Sequence, residues 1–268
     1  MNILDTIVLR KIEEVDYLRK TISLSQLQQT SNYNRKCHTL SDRLLDKSNL
    51  GIIAEYKRKS PSKGLINKHG HTPANIAKAY ADAGAVAIST LTDTEFFGAK
   101  DTDIQNVRSS IDIPLLRKDF MIDPYQIHQA KAMGADVILL IGAIINKDKA
   151  IEMTEVSHSL GLQVLYEVHN ISELENIPIT VDIIGINNRD LKEFKVDYNH
   201  SIKIKNELDT NKPLISESGL SDPKIVHMLQ AEGFNGFLIG EAFMKTEAPG
   251  ESCKSFVDMA TNNKTMDS

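Results

Sequence analysis

Tryptophan is absent from this chain of 268 residues, and cysteine is nearly absent. The two cysteines, Cys37 and Cys253, are far apart, and neither has a second cysteine or a histidine at a spacing typical of zinc ligands. The closest pair of histidines, His69 and His71, lies in a polar stretch without a matching set of carboxylates. We therefore expect neither a disulfide nor a metal site.

The sequence also lacks long apolar runs and a strong charge of either sign. No apolar stretch approaches the length that crosses a membrane, and charged residues from Asp5 to Glu14 interrupt any signal-peptide core. A formal net charge of −5 argues against binding to nucleic acid or to a membrane surface. With 41% hydrophobic and 25% charged residues, the composition is that of an ordinary globular protein, which we expect in the cytoplasm.

A repeating pattern begins near Leu50 and continues almost to the end of the chain. In each repeat a helix ends at or near a glycine, such as Gly84 or Gly134, and a short apolar strand follows at once. Unbroken runs of valine, isoleucine and leucine indicate parallel strands that are buried on both faces. The predicted strands are Ile52–Lys57, Val86–Leu91, Pro114–Lys118, Val137–Ile141, Val164–Val168, Ile183–Asn187, Leu214–Ser218 and Phe237–Gly240.

Helices are predicted between these strands, and two of them have clear start signals. Asp123-Pro124 and Asp222-Pro223 each combine a capping residue with proline in the first turn. The clearest predicted helices are Thr72–Ala83, Pro124–Met133, Lys147–Leu160 and Asp222–Glu232. Eight such units predict an α/β fold of the (β/α)8 TIM barrel type. A doubly wound open sheet is built from the same unit. The number of strands does not fit that fold, and its glycine-rich fingerprint is missing after the first strand.

The residues ahead of the first strand predict an amphipathic helix. Its apolar residues at helical spacing are Leu4, Ile7, Val8, Ile12, Val15 and Leu18. Because this stripe must be buried, we expect the helix to cover one end of the domain. The expected division is residues 1–45 as an N-terminal helical extension, 46–260 as the barrel, and 261–268 as a disordered tail.

The stretch from Ile52 to Ser62 joins the first strand to a basic turn with serine and proline. Alternation places Glu55 and Lys57 on the same face of the strand. Opposite charges at the end of a buried strand are costly unless they pair or perform a function. Taken alone, this pattern is compatible with a simple ion pair.

The other strand ends carry the same kind of side chain, and in such barrels catalytic groups lie at the carboxyl ends of the strands. The residues at those ends are Glu55, Lys57, Ser89, Lys118, Glu167, Asn187, Arg189, Glu217, Ser218 and Gly240. A purely structural face does not need so many ionisable groups, and crowded opposite charges separate the pKa values of an acid and a base. We therefore predict an active site at this end.

The last two strands predict an anion site. Loops at this position commonly bind phosphate through backbone N–H groups and a helix N-terminus. Ser218-Gly219 and Gly240-Glu241 allow close approach of the backbone, and Ser60 and Ser218 add hydroxyl donors. The side chain of Glu241 should point away from the anion. The backbone conformation at the end of a strand also explains these glycines without an anion site.

Several motifs, in order along the chain, resemble the indole-3-glycerol phosphate synthase family of tryptophan biosynthesis. The most specific is Glu-x-Lys-x-x-Ser-Pro-Ser, which begins at Glu55. The others are Leu91-Thr92-Asp93 with Phe96-Phe97, Leu116-Arg117-Lys118-Asp119-Phe120, Glu167-Val168-His169, Ile186-Asn187-Asn188-Arg189-Asp190-Leu191 and Glu217-Ser218-Gly219. The resemblance covers essentially the whole chain, including Ile3-Leu4-Asp5 with Lys11.

The resemblance implies a reaction without a cofactor. The family converts 1-(2-carboxyphenylamino)-1-deoxyribulose 5-phosphate to indole-3-glycerol phosphate, CO2 and water. Lys118 resembles the general acid of ring closure, Glu167 the base of the later dehydration, and Lys57 the residue that holds the substrate carboxylate. The positions that orient the reacting groups in the family are matched by Glu55, Asn187, Arg189 and Glu217. Its phosphate site is matched by Ser60, Ser218, Gly219, Gly240 and Glu241. The walls around the anthranilate ring are matched by Phe97 and Phe120. The partner is a phosphorylated small molecule, and we expect a monomer.

Two other functions remain compatible with the residues themselves. A class I aldolase would use Lys118 or Lys57 to form a Schiff base with a sugar phosphate. A barrel without activity could bind a phosphorylated ligand. The chain differs from the family at Gly98-Ala99-Lys100, where glutamine or asparagine and then glycine often follow the paired phenylalanines. The shape of that loop does not follow from the sequence.

Overall fold

The computed structural model describes residues 3–190 and 195–263. Its centre is a closed barrel of eight parallel strands, and each strand pairs with the next along the chain until the eighth pairs with the first. The strands are Ile52–Tyr56, Ala87–Leu91, Leu115–Lys118, Val137–Ile141, Gln163–Val168, Ile183–Asn187, Leu214–Glu217 and Gly236–Ile239. The predicted TIM barrel is confirmed, and every predicted strand boundary lies within one residue of the observed one.

Helices surround the barrel. After the first strand they are Pro73–Asp82, Thr94–Phe97, Asp103–Arg108, Pro124–Met133, Lys147–Ser159, Tyr198–Asn206, Pro223–Ala231, Glu241–Met244 and Pro249–Asn263. The fifth strand is followed by a 3-10 helix, Ile171–Asn176, and not by a regular α-helix. A short hairpin of Lys59–Ser60 and Gly64–Leu65, which the sequence does not predict, follows the first strand. Within the described ranges, no helix has the length and apolar character needed to cross a membrane.

The barrel interior explains how charged side chains reach the mouth. Apolar side chains fill the inside, among them Ile53, Leu116, Leu165 and Ile215. Because side chains alternate along a strand, the residue two positions further on each strand also points inward. Those residues are Glu55, Lys118, Glu167 and Glu217. The strands therefore change from apolar to ionisable inside the barrel, towards their carboxyl ends.

Three helices precede the barrel: Ile3–Thr21, Leu24–Gln28 and Leu40–Leu45. The helix Leu40–Leu45 closes the amino end of the barrel, since Leu40 and Leu44 pack with the interior residues. The first helix covers the opposite, carboxyl end, where it lines the cavity described below. Its buried face differs from the predicted stripe, because Lys11 is buried while Ile12 is 45% exposed. Lys11 is buried because it forms ion pairs with carboxylates of the barrel.

The last helix, Pro249–Asn263, contains the first residues of the segment 261–268, for which the sequence predicts a disordered tail. Residues 264–268 lie outside the described residues. The division into an extension, a barrel and a tail therefore stays a prediction.

Candidate active site

A cavity of about 480 Å³ opens at the carboxyl ends of the strands. All but one of the residues that the sequence places at the site line it, namely Glu55, Lys57, Ser60, Phe97, Lys118, Phe120, Glu167, Asn187, Arg189, Glu217, Ser218, Gly219, Gly240 and Glu241. Ser89 is fully buried and is not part of this lining, whereas Leu91, the last residue of the same strand, is. Leu91 lies level with Lys118 on the neighbouring strand, so it takes the position expected for Ser89.

Lys118 lies at the centre of the charged side of the cavity. Its Nζ donates to Glu167 Oε2 at 3.0 Å and to Glu217 Oε2 at 2.7 Å. These three residues lie at or next to the carboxyl ends of the third, fifth and seventh strands, so the barrel brings them together although they are far apart in the chain. The result is one ammonium group between two buried carboxylates.

The two carboxylates differ in their tendency to hold a proton. Burial raises the pKa of Glu217 to about 8. The positive charge of Lys118 works to lower this pKa, and the negative charge of Glu167 works to raise it further. Burial also works to raise the pKa of Glu167, but the charges of Lys118 and His169 lower it to about 2. The pKa values of the two carboxyl groups are therefore shifted in opposite directions, and Glu217 keeps a proton to a higher pH than Glu167 does. When two neighbouring carboxyl groups have well-separated pKa values, one of them can act as a base while the other keeps its proton.

The pKa of Lys118 lies above its ordinary value. Burial works to lower this pKa, but the carboxylates of Glu167, Glu217 and Glu55 outweigh the burial. Lys118 is therefore fully protonated at neutral pH. A positively charged group in a water-poor cavity can stabilise an oxygen that becomes negative.

Two further side chains contact the second oxygen of Glu167. Asn187 Nδ2 donates to Oε1 at 3.2 Å, and Nε2 of the buried His169 lies 3.2 Å from the same atom. The sequence reasoning did not select His169 as a site residue. The signal was present, because His169 follows Glu167 at a spacing of two, as Lys57 follows Glu55.

Glu55 and Lys57 form the ion pair that alternation suggests, with 2.7 Å between Lys57 Nζ and Glu55 Oε1. Within the described part of the chain, the second oxygen of Glu55 and Oε1 of Glu217 are buried without a hydrogen-bond partner. Two glycines make room for these carboxylates. A Cβ on Gly240 would lie 2.6 Å from Glu55 Oε1, and one on Gly185 would lie 2.3 Å from Glu217 Oε1. Gly240 thus has a packing role besides the one predicted from the sequence.

The ends of the seventh and eighth strands form a separate region of the cavity, which we call the anion region; it consists of Ser60, Ser218, Gly219, Gly240 and Glu241. Ser218 has φ 73°, the one positive φ of a residue other than glycine among the described residues, and Gly219 has φ 77°. A left-handed serine is uncommon, and such strain often occurs where the backbone serves a ligand. Gly240 directly precedes the helix Glu241–Met244, whose first amides have no partner within the helix.

Arg189 lies at the rim beside this region. Its Nη2 is 3.9 Å from Glu241 Oε2, and its Nη1 donates to Ser62 Oγ at 3.5 Å. Its backbone N–H donates to Asn187 Oδ1 at 3.0 Å, which fixes the chain at the end of the sixth strand. The guanidinium is therefore held only loosely and is available to a ligand.

The opposite side of the cavity is apolar. The rings of Phe97 and Phe120 are half-buried with their centroids 6.1 Å apart, and Leu4 and Ile7 of the first helix line the same side. We call these four residues the aromatic pocket. The sequence predicts the two phenylalanines but not the contribution of the first helix, because its apolar stripe does not reveal which end of the barrel it covers.

The loop after Phe97 is compact despite its departure from the family pattern. Gly98 ends the helix Thr94–Phe97 in the left-handed conformation, with φ 69°. The N–H of Ala99 then donates to the carbonyl of Asp93 at 3.1 Å. Gly98 therefore supplies the turn that keeps Phe97 at the cavity.

The site combines three chemical features. An ammonium group lies between two carboxyl groups whose pKa values are shifted in opposite directions, the anion region lies at one side, and the aromatic pocket lies at the other. Among residues 3–190 and 195–263, no group of three or more histidine, cysteine, aspartate or glutamate side chains is arranged to hold a metal ion. The arrangement is suited to proton transfers on a substrate that has an anionic group and an aromatic ring.

Several known proteins resemble this chain in sequence or in fold. A family model described as indole-3-glycerol phosphate synthase matches residues 4–256. An indole-3-glycerol phosphate synthase of Bacteroides thetaiotaomicron is 46% identical over 256 residues, which are 96% of this chain and 98% of the relative. One from an Acidovorax species is 39% identical and covers 90% of this chain and 94% of its own. The tryptophan synthase α subunit of Legionella pneumophila has the same fold, with a TM-score of 0.61, 13% identity, and coverage of 83% and 97%.

Proposed function

The chain belongs to the indole-3-glycerol phosphate synthase family, and we propose that the cavity at the carboxyl ends of its strands carries out the family reaction with Lys118 as general acid and Glu167 as general base. The family's enzymes close an indole ring with loss of CO2, as part of tryptophan biosynthesis. The observation that carries the proposal is the position of Lys118 Nζ, 3.0 Å from Glu167 and 2.7 Å from Glu217.

The phosphate and the aromatic ring, at the two ends of the substrate, would determine how the substrate lies in the cavity. Its phosphate would bind in the anion region, and its anthranilate ring would lie between Phe97 and Phe120 in the aromatic pocket. The ribulose carbonyl then lies between these ends, close to Lys118. Lys57 would hold the ring carboxylate, and Glu55 orients Lys57 through their ion pair.

Ring closure begins when the ring carbon that bears the carboxylate attacks the ribulose carbonyl carbon. A new carbon–carbon bond forms, and the electron pair of the C=O bond moves to oxygen. Lys118 donates its proton to that oxygen, which becomes a hydroxyl group. Because Glu167 and Glu217 hold the ammonium in place before the substrate binds, little reorganisation is needed in the transition state.

Decarboxylation follows from the ring-closed intermediate itself. The nitrogen is now an iminium, so the electron pair of the breaking bond to CO2 can move into the ring system. The protein needs only to hold the intermediate and keep the site dry, which the aromatic pocket and the first helix do.

Dehydration completes the aromatic indole ring. Glu167 removes a proton from the carbon beside the nitrogen, and the hydroxyl group leaves as water with a proton from Lys57, or from Lys118 once solvent has returned the proton that Lys118 gave to the carbonyl. The charge of Lys118 lowers the pKa of Glu167. While Lys118 lacks the proton that it gave to the carbonyl, this effect is lost, and Glu167 becomes a stronger base for the later step.

The test of the function is direct. Purified protein mixed with 1-(2-carboxyphenylamino)-1-deoxyribulose 5-phosphate should form a product with indole fluorescence, and the chain itself has no tryptophan to contribute a background. An aldolase with a Schiff base would instead be inactivated by borohydride in the presence of its sugar phosphate. Borohydride should leave this enzyme unmodified, because ring closure requires no covalent intermediate.

A crystal soaked in inorganic phosphate should show the anion in the anion region. We expect it within hydrogen-bonding distance of the N–H groups of Ser218-Gly219 and Gly240-Glu241, because Gly219 and Gly240 leave the backbone accessible. The start of the helix Pro223–Ala231 in the same crystal is the internal control, since that helix does not line the cavity. Density for phosphate only at such outside positions would contradict the assignment.

Replacement of Arg189 tests whether the rim of the cavity contributes to the reaction. We expect Arg189→Ala to lower kcat/KM by at least about tenfold, because the guanidinium lies beside the anion region and has only long contacts, at 3.9 Å with Glu241 and 3.5 Å with Ser62. Its Tm should fall by less than about 2 °C, since a partly exposed rim side chain contributes little to stability. Arg43→Ala, in the helix Leu40–Leu45, is the matched control with a half-buried arginine. A large loss of Tm with unchanged kinetics would assign Arg189 a structural role.

Location and assembly state complete the proposal. We propose a cytoplasmic protein, and we propose that it is a monomer because one chain supplies all the described residues that line the cavity. Sedimentation equilibrium of the purified chain measures the assembly state.

A further inference from the structure

One buried cation takes no part in the proposed reaction. Lys11, in the first helix, is 1% exposed, and its Nζ lies among three carboxylates. The distances are 2.8 Å to Glu14 Oε2, 3.1 Å to Asp93 Oδ2 and 2.9 Å to Asp119 Oδ1. Burying an ammonium group is costly without such partners, so its position must depend on them.

The first barrel carboxylate controls the backbone at Phe97. Asp93 caps the helix Thr94–Phe97, with Oδ1 accepting from the N–H groups of Phe96 at 2.7 Å and Phe97 at 3.3 Å. Its other oxygen faces Lys11. Lys11 therefore fixes the orientation of the carboxylate that begins this short helix.

The second barrel carboxylate controls the backbone at Phe120. Asp119 Oδ1 accepts from the N–H of Phe120 at 2.8 Å and also contacts Lys11 at 2.9 Å. Its Oδ2 accepts from Thr92 at 2.6 Å and from Arg117 at 3.0 Å. The carboxylate is thus fully partnered, and Lys11 contacts the same oxygen that holds the phenylalanine backbone.

The first helix adds its own residues to the same place. Leu4 and Ile7 line the aromatic pocket, and they precede Lys11 by seven and four positions on one helical face. One ammonium group therefore connects all the elements of the aromatic pocket: the first helix, the cap before Phe97 and the turn at Phe120.

We propose that Lys11 is a positioning residue that sets the width of the aromatic pocket and thereby the binding of the anthranilate ring. The inference rests on the proposed placement of that ring between Phe97 and Phe120. Without the cation, Asp93 and Asp119 would repel each other in a buried site, and the helix would lose its attachment above the rings.

Lys11→Met tests the proposal, because methionine has similar length but no charge. We expect KM for the substrate to rise about tenfold while kcat falls less than about threefold, since ring placement changes and the reacting groups do not. The Ki of inorganic phosphate as a competitive inhibitor should change less than about twofold, because the anion region lies on the other side of the cavity. Lys20→Met, exposed on the same helix, is the matched control.

Phe97→Ala separates this inference from the proposed ring placement. If Phe97→Ala leaves KM unchanged, the ring placement itself is wrong. If Phe97→Ala raises KM and Lys11→Met does not, or if Lys11→Met raises KM and the phosphate Ki equally, the role of Lys11 is overturned. Should Lys11→Met fail to fold, Asp93→Asn keeps the cap oxygen and weakens only the contact with Lys11. It should raise KM with an unchanged phosphate Ki, and an unchanged KM would equally overturn the proposal.

Discussion

Lys118→Met is expected to lower kcat by at least ~10²–10⁴, because it removes the group that protonates the ribulose carbonyl during ring closure. Substrate affinity should change little, since the anion region and the aromatic pocket remain. Some stability should also be lost, because Glu167 and Glu217 lose the cation that lies between them. Single-turnover kinetics and the melting temperature of the same preparation measure both effects.

The matched control for this variant is Lys131→Met. Lys131 is also a buried lysine, with its Nζ bonded to the carbonyl of Arg35 at 2.8 Å, but it does not line the cavity. Its replacement should lower the melting temperature and leave the rate of ring closure unchanged. If Lys118→Met closes the ring at nearly the normal rate, and loses only stability as Lys131→Met does, Lys118 is not the general acid.

Glu167→Gln should stop the reaction later, at dehydration. Glutamine cannot accept the proton from the carbon beside the nitrogen, so kcat should fall by roughly 10²–10⁴. Ring closure and loss of CO2 do not need this base. A ring-closed or decarboxylated intermediate should therefore accumulate in rapid-quench samples.

Glu217→Gln is the informative comparison for this second variant. Since burial raises the pKa of Glu217 to about 8, the protonated carboxyl group is favoured, and an amide imitates that form. We expect a smaller loss of kcat than with Glu167→Gln and no accumulated intermediate. A larger effect on dehydration from Glu217→Gln than from Glu167→Gln would move the role of base to Glu217.

The barrel itself was predictable because its signals are local. Each strand is a short apolar run, and each neighbouring helix has its own caps, as at Asp123-Pro124. Such patterns depend only on residues a few positions apart, so they can be recognised without knowing the contacts. The same holds for the positions at the strand ends, because a parallel barrel places all carboxyl ends at one mouth.

The details of the site depended on contacts between distant parts of the chain. Lys118 and Glu217 are 99 positions apart, and Lys11 contacts Asp119 from another element altogether. The helical stripe of the first helix predicts Ile12 as buried, but the buried carboxylates of the barrel favour Lys11 instead. The spacing of apolar residues does not show that ion pairs will determine which side of the helix is buried.

By itself, the sequence determined the order of strands and helices, the family, and the residues available at the mouth. Only the tertiary structure decided that the pKa of Glu167 is lowered while that of Glu217 is raised, since that difference arises from burial and from the distances among Lys118, His169 and the two carboxylates. It also decided that the first helix completes the aromatic pocket. The physical reason is common to both results: local spacing specifies secondary structure, whereas electrostatic and packing energies depend on distances that exist only after the barrel has closed.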